Sequence, residues 1–189
     1  MAVVDLDLVR DVARDVAHAV RNLESPKNAR GAVETALRPL VGPHEDLFSR
    51  SMQRATALEF SRILYFDPGL MFQLSKFEAG FRLPVHNHEA WNALFLCAGR
   101  MQFCGYRRLD DRSEPGRARL EIHDERILGA GDVGIVAPPP HDIHELEVLT
   151  DDTWLVTVTP RPEVEVREIY DPAEGSYEIN SLVALPRRL

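Results

Sequence analysis

The sequence predicts a mainly β protein in which a sandwich or barrel of short strands follows two α-helices. Helical patterns of apolar residues occupy the first part of the chain, many short β-favouring runs follow from residue 57, and no helical pattern separates those runs. Short strands at near-regular spacing are typical of all-β sandwiches and barrels. A chain of 189 residues is long enough to bury one good core and fits a single domain.

Two amphipathic helices are predicted before the strands. The first covers residues 4–23, where apolar residues recur at helical spacing with acids and arginines between them until Pro26. The second covers about residues 28–41 and ends before Pro43, because proline cannot continue a helix. Each helix has an apolar stripe that needs a partner.

The β-favouring runs begin at Ala57 and are separated by turn residues. A charged loop is expected over residues 110–119, and the chain beyond Pro160 is expected to be strand or coil. We expect one structural unit in two parts, a helical segment over residues 1–50 packed on a barrel over residues 51–189. The predicted strands include residues 70–77, 93–97, 101–106, 120–122, 133–136, 143–148 and 154–159.

The charge of the chain favours a small molecule as its partner. The formal net charge is -8, from 30 acidic and 22 basic residues. This balance disfavours extended contact with nucleic acid or with an anionic membrane surface. The sequence leaves the oligomeric state open.

The protein is expected to be soluble and cytoplasmic. The start, Met1 to Asp7, has acids where a signal peptide needs basic residues, and no apolar stretch approaches the roughly 20 residues needed to span a bilayer. Cys97 and Cys104 are separated by six residues and form no CxxC motif, so we expect free buried thiols in a reducing compartment.

Two histidines, His86 and His88, flank Asn87 in a run that reads as a strand. Alternate side chains of an extended strand share one face, so both would point the same way, as two ligands of one metal ion must. Neutral imidazole is the commonest metal ligand. Two solvent-facing histidines on a half-buried strand fit this spacing equally well, and the spacing alone leaves both interpretations open.

A third histidine follows a proline-rich turn. Three prolines end one strand, and Asp142-Ile143-His144 opens the next, which places His144 at a strand entrance. Glu89 and Asp142 adjoin these histidines, but strand parity turns both carboxylates away, which favours supporting or surface roles. His123, beside Asp124, is interpreted as part of a solvated loop.

The first histidine pair lies in a stretch that resembles a motif of a known protein family. Gly80, His86-x-His88, Asn92 and Gly99, at their spacing in this chain, resemble the first cupin motif, in which an acid usually stands at the Asn92 position. Asn92 could line the pocket in place of that acid, and a polar core residue with its own partner is the other interpretation.

The second motif completes the resemblance. Pro139-x-His141-x-x-His144 resembles the second cupin motif, with His141 where glycine is usual. The resemblance implies a cupin double-stranded β-helix barrel in whose mouth His86, His88 and His144 hold a metal ion. His141 is expected to be a pocket histidine, a supporting residue or a simple turn residue.

Among cupins the chain resembles the cysteine dioxygenase type of bacterial thiol dioxygenase. Phe60-Ser61-Arg62 is similar to the aromatic-x-arginine of that family, whose arginine holds the substrate carboxylate, so Arg62 is the candidate for that role. The family's Ser-x-His-x-Tyr strand should fall near residues 155–159, where this chain has Thr157 and Thr159 instead of the histidine and tyrosine.

The predicted function is therefore a mononuclear non-haem iron dioxygenase that uses O2 to oxidise a small thiol-bearing acid to its sulfinate. The candidate catalytic residues are Arg62, Asn92 and His141, and Fe(II) is the expected cofactor. Nickel, manganese or zinc would also fit three histidines with an open position. Two alternatives remain: a cupin enzyme for a non-thiol chelating substrate such as a diketone or enol, and a non-catalytic cupin that binds a small molecule.

Overall fold

The computed structural model describes residues 6–21, 26–42, 61–160 and 166–181. Within these ranges the chain forms two α-helices, one 3₁₀ turn and eleven strands. This confirms the predicted mainly β fold with two preceding helices, the layout that the resemblance to cupins implies. The elements are α1 (Leu6–Arg21), α2 (Pro26–Leu37), the 3₁₀ turn (Arg38–Leu40), β1 (Ser61–Phe66), β2 (Leu70–Phe77), β3 (Arg82–His86), β4 (Asn92–Ala98), β5 (Arg100–Arg108), β6 (Leu120–Gly129), β7 (Val133–Val136), β8 (Ile143–Val148), β9 (Thr153–Pro160), β10 (Val166–Asp171) and β11 (Ser176–Ser181).

The strands form two sheets whose pairings are all antiparallel in the described chain. The first sheet has the order β1-β2-β9-β4-β7, and the second has the order β11-β10-β3-β8-β5-β6. Neighbours such as β4 and β9 are far apart in sequence, so the sheets bring distant segments together. The barrel interior is one apolar cluster with members from both sheets, including Phe77, Leu94, Leu96, Met101, Phe103, Leu128, Leu146 and Leu155.

The two helices pack on the outer face of the first sheet. Their apolar stripes share one buried cluster with strands of that sheet, which excludes water from both surfaces. No helix in the described ranges is both long and apolar enough to cross a membrane. The cluster contains Val9, Val12, Val16, Val33 and Leu37 from the helices and Phe72, Leu74, Phe95, Val156 and Val158 from the strands.

Most predicted strands agree with the structure, and one disagrees. β6 runs over Leu120–Gly129, where the sequence predicted a strand only over residues 120–122. His123 lies on this strand, so its assignment to a solvated loop is wrong. β6 is the edge of its sheet and pairs only with β5, and edge strands tolerate charged residues that conceal the β pattern.

The chain after residue 165 adds a hairpin to the second sheet. β10 and β11 pair along their length, and Ile169 of β10 pairs with His86 of β3. The sequence predicted only strand or coil here. The predicted division between a helical segment and a barrel at residue 50 falls outside the described residues and stays a prediction.

Candidate metal centre

Three buried histidines meet at one end of the barrel interior. His86, His88 and His144 are 3%, 6% and 1% exposed. Each offers a ring nitrogen, and these atoms all lie within 4.8 Å of one another. His86 Nε2 lies 3.0 Å from His88 Nε2, and the three ring centroids are 4.5 to 4.9 Å apart. In the described ranges, this is the group of His, Cys, Asp or Glu side chains that could hold a metal ion.

Strand pairing brings two of the three histidines together. His86, the last residue of β3, pairs directly with His144, the second residue of β8. Directly opposed residues of an antiparallel pair project to the same face of the sheet, so both imidazoles enter the barrel. The proline-rich turn before β8 places His144 at the strand entrance, as the sequence predicted.

His88 follows just after the end of β3. β3 ends at His86, so the strand is two residues shorter than expected, but the rings of His86 and His88 meet in one cluster as the alternation predicted. Asp142 stabilises the bend that follows His88, because its Oδ2 accepts the backbone N–H of His88 at 3.3 Å and that of Glu89 at 2.8 Å. Glu89 has a φ of 56°, a left-handed conformation that turns the chain away. Asp142 is buried and supports the metal-binding loop, whereas the Glu89 side chain is exposed.

Hydrogen bonds orient the rings of the first two histidines. His86 Nδ1 lies 2.8 Å from the Pro84 carbonyl oxygen, which can only accept, so Nδ1 carries the proton and Nε2 keeps its lone pair. Asn92 Nδ2 is 3.5 Å from His88 Nδ1 and 3.3 Å from Thr159 Oγ1. The structure thus places Asn92 against a predicted metal ligand.

The orientation of the Asn92 amide determines which nitrogen of His88 is free to bind a cation. Its Oδ1 is buried without a hydrogen-bond partner among the described residues. If the amide were reversed, Oδ1 would accept a proton from His88 Nδ1, and His88 Nε2 would then present a lone pair beside His86 Nε2. Two opposed nitrogen lone pairs need a shared cation, so the residues present fit a metal ion.

Burial keeps the three imidazoles neutral. The pKa of His86 falls from 6.5 to about 3, first because burial penalises the charged ring and second because Arg167 places a positive charge nearby. Burial, followed by the nearby positive charges, also lowers the pKa of His88 and of His144 well below the usual value. Neutral rings can donate their lone pairs, which metal binding requires.

Arg167 is a site residue that sequence reasoning missed. It lies two residues before Ile169, which pairs with His86, so strand parity places Arg167 on the same face as His86. Its positive charge lowers the pKa of all three histidines of the cluster. The alternating pattern of residues 166–171 was the available signal, but the sequence alone does not show that this strand pairs with β3.

One of the other predicted site residues lies outside the histidine cluster, and the side chain of the other is not described. His141 is exposed, and its ring centroid is 5.6 Å from that of His123. The backbone of Arg62 pairs with Leu74 on β2, and its side chain lies outside the described part of the structure. The substrate-binding role of Arg62 therefore stays a prediction.

No family model and no curated protein matches this chain. Its structural neighbours are cupin-superfamily proteins. They include KdgF from Halomonas sp., at 22% identity over 53% of this chain and 76% of that one, with a TM-score of 0.39. A cupin-2 domain protein from Shewanella frigidimarina is 17% identical over 66% of this chain and 99% of that one, with a TM-score of 0.40. The DMSP lyase DddQ from Ruegeria pomeroyi is 17% identical over 84% of this chain and 77% of that one, with a TM-score of 0.44. With identities below 25% and TM-scores below 0.5, these similarities carry no conclusion about the family or the activity of this chain.

Proposed function

We propose that this protein is a mononuclear non-haem iron dioxygenase that oxidises a small thiol-bearing acid with O2. The observation that carries the proposal is the buried, neutral, all-histidine cluster beside the positive charge of Arg167. In the overall reaction R–SH and O2 give R–SO2H, so both oxygen atoms enter the product and no further reductant is needed.

His86, His88 and His144 would hold the metal ion through ring nitrogens. A ferrous ion bound there would supply the electrons for O2 activation and a Lewis acid for the substrate thiolate. Asp142 would keep His88 in place through the loop backbone, and the Pro84 carbonyl would keep His86 in the ligating tautomer. Nickel, manganese and zinc are compatible with the same donor set.

The charges around the site favour an anionic substrate. The metal-binding cluster of the described residues contains no carboxylate, so the full divalent charge would remain on the site. Arg167 adds a further positive charge, and its planar guanidinium suits two hydrogen bonds to a carboxylate. We therefore propose Arg167 as the residue that holds the substrate carboxylate, with Arg62 as the second candidate.

One observation favours a second candidate function. Thr157 and Thr159 occupy positions where the thiol dioxygenase family has histidine and tyrosine, and Thr159 is already engaged with Asn92 at 3.3 Å. A threonine hydroxyl cannot reach as far as a tyrosine hydroxyl to orient a substrate. An oxygenase or isomerase for a chelating diketone or enol would need neither residue, and a non-catalytic cupin would need only the binding site.

The cytoplasmic location belongs to the same proposal. Cys97 and Cys104 are both free and buried. Burial raises the pKa of the Cys97 thiol far above its usual value and, with Glu125 and Glu145 nearby, raises that of Cys104 to about 11. Unreactive buried thiols are compatible with a reducing compartment. The expectations of no nucleic-acid or membrane partner stay predictions.

Oxygen uptake tests the proposed reaction. Protein loaded with stoichiometric iron would be supplied with cysteine, 3-mercaptopropionate, cysteamine or a β-diketone while dissolved O2 is measured. We expect uptake with a carboxylate-bearing thiol and the matching sulfinate by mass spectrometry. Uptake with the diketone alone would establish the second candidate, and no uptake with any compound would favour a binding protein.

A further inference from the structure

The inner wall of the barrel beside His144 has a glycine. Gly105 of β5 pairs with His144 on one side and with Asp124 of β6 on the other. A Cβ at Gly105 would meet His123 Cε1 and Nε2 at 3.3 Å and the Asp124 Cβ at 3.5 Å. The His123 imidazole therefore fills the space that a side chain at position 105 would take. Since neighbouring strands are about 4.8 Å apart, this ring lies one strand away from His144.

A bulge in β6 gives His123 this position. The register between β5 and β6 shifts after Gly105, so Asp124 pairs with Gly105 while Ile122 pairs with Tyr106. His123 is the extra residue, and such bulges redirect a side chain. His141 contacts it from the turn before β8, with ring planes at 76° and centroids 5.6 Å apart. Both side chains are exposed, and His141 lies three residues before His144, so the imidazole pair lies at the end of the barrel that holds the histidine cluster, here called the mouth.

Arg126 brings a cation to the same wall. It lies two residues after Asp124 on β6, and its Nε donates a 2.8 Å hydrogen bond to Asp124 Oδ1. Its guanidinium lies 5.5 Å from the centroid of the Phe103 ring, which stacks on His144 with centroids 6.0 Å apart. The guanidinium therefore lies over the interior side of the second sheet.

One nitrogen of Arg126 indicates a missing ligand. Nη1 is buried and has no hydrogen-bond partner in the described part of the chain. An unsatisfied buried donor on a charged group is costly, and native structures satisfy nearly all such groups. Asp124 already uses the Nε side of the guanidinium, so Nη1 has a free bond for an anion that enters from the mouth.

We propose that His123, His141 and Arg126 form a second anion-binding site, here called the mouth subsite, for the outer carboxylate of a small dicarboxylic substrate. This inference depends on the proposed metal site and adds the class of substrate that the site would bind. One end of the substrate chelates the metal and meets Arg167, and the other end accepts hydrogen bonds from Arg126 Nη1 and the imidazole pair. The preferred substrate is thus a thiol-bearing diacid, of which cysteine and 3-mercaptopropionate are shorter analogues that lack the outer carboxylate.

Zinc-loaded protein tests the mouth subsite without turnover. Isothermal titration with lactate and malate compares two ligands that both chelate through a hydroxyl and a carboxylate, while only malate has a second carboxylate. The second carboxylate of malate could also bind the metal, so a difference between malate and lactate in the wild-type protein is not enough. Variants of the mouth subsite distinguish the two explanations. Arg126→Met and His123→Phe should each lower the affinity for malate about ten-fold and leave the affinity for lactate unchanged. A ten-fold change is the size expected for the loss of one charged hydrogen bond.

A glycine variant and a matched control sharpen the result. Gly105→Ala should displace the His123 ring and lower malate affinity with lactate unchanged. Arg82→Met removes an equal charge from the outer face of the same sheet, where Arg82 pairs with Glu147, and should change neither affinity. Circular dichroism would confirm that each variant is folded.

The outcomes separate this inference from the metal site. If zinc binds but Arg126→Met and His123→Phe leave the malate-to-lactate ratio at the wild-type value, the mouth subsite is wrong and the metal site stands. An equal loss for both ligands would also overturn it, because the residues would then support the metal rather than a second carboxylate. If zinc does not bind to the wild-type protein, both proposals fail.

Discussion

Two buried polar regions lie on the two faces of the second sheet, and they differ in how completely their groups are satisfied. On the outer face, the Arg108 cluster (Arg108, Asp110, Glu168 and Tyr170) satisfies its members internally. Arg108 donates to Asp110 Oδ1 at 2.8 Å, to Glu168 Oε2 at 3.4 Å and to the Arg117 carbonyl at 2.7 Å. The Tyr170 hydroxyl donates to Glu168.

The barrel interior, which is lined by the inner face of the second sheet and by Asn92 of the first sheet, has buried groups that lack such partners. Asn92 Oδ1, Asp142 Oδ1 and Arg126 Nη1 are buried without a hydrogen bond to any described residue. All three belong to residues in or beside the proposed substrate site. A satisfied network stabilises and positions, whereas unsatisfied groups around three neutral imidazoles indicate a place that a ligand completes.

The two regions are joined through Asn87. Its Oδ1 accepts the backbone N–H of Glu168 at 2.8 Å, and its own N–H donates to the Glu168 carbonyl at 3.2 Å. Asn87 stands between His86 and His88, so the Arg108 cluster supports the metal-binding loop from behind. Substitutions on the two faces should therefore have different effects. Those on the inner face should weaken ligand binding, and those on the outer face should lower stability.

The largest expected effect is on metal binding. His144→Ala should lower iron or zinc affinity about 1,000-fold, or about 4 kcal/mol, because one of three nitrogen ligands is lost. Metal content after dialysis and competition with a chelator measures it. His18→Ala, on the exposed side of α1, is the control and should keep wild-type metal content. Retention by His144→Ala would mean that the third ligand is wrong, and His141 would be tested next.

The next effect is on stability. Arg108→Met should lower the free energy of unfolding by about 2 kcal/mol, because it removes the buried guanidinium that donates to Asp110, Glu168 and the Arg117 carbonyl. Arg107→Met breaks an ion pair with Glu121 in which both side chains are half exposed, and it should cost less than about 1 kcal/mol. Urea unfolding measures both. Equal losses would show that the Arg108 cluster is not the stabilising region.

A pH dependence comes from the inner face. Between pH 6.5 and about 3 the unfolded chain protonates His86 while the folded protein does not, so stability is lost as the pH falls below 6.5. At pH 5 this costs about 2 kcal/mol for His86. Urea unfolding of metal-free protein at pH 7 and pH 5 should show the loss, and His86→Gln should reduce it. A His86→Gln variant with the wild-type pH dependence would contradict neutral burial of this ring.

Local patterns in the sequence were enough for the mainly β layout after two helices, and the resemblance of two short motifs to the cupin motifs was enough for the histidine cluster. The spacing of His86 and His88 and the proline-rich turn before His144 are short-range features, so they are visible without the fold. The register between distant strands is not visible in the sequence. Arg167 joins the site only because β10 pairs with β3, and His123 only because β6 bulges opposite Gly105. No pattern within either segment encodes those pairings, since register follows from packing of the whole sheet.

The smallest expected effect distinguishes two arginines. Arg167→Met should weaken 3-mercaptopropionate about ten-fold in anaerobic titrations of zinc-loaded protein, because a charged hydrogen bond to the carboxylate is lost. Cysteamine has the thiol without the carboxylate, so its affinity should not fall. Arg62→Met provides the direct comparison: if it alone causes the selective loss, the carboxylate is held from β1 and Arg167 acts only through its field. If Arg167→Met lowers the affinity for both compounds equally, this arginine supports the histidine cluster, and another residue must recognise the anionic substrate.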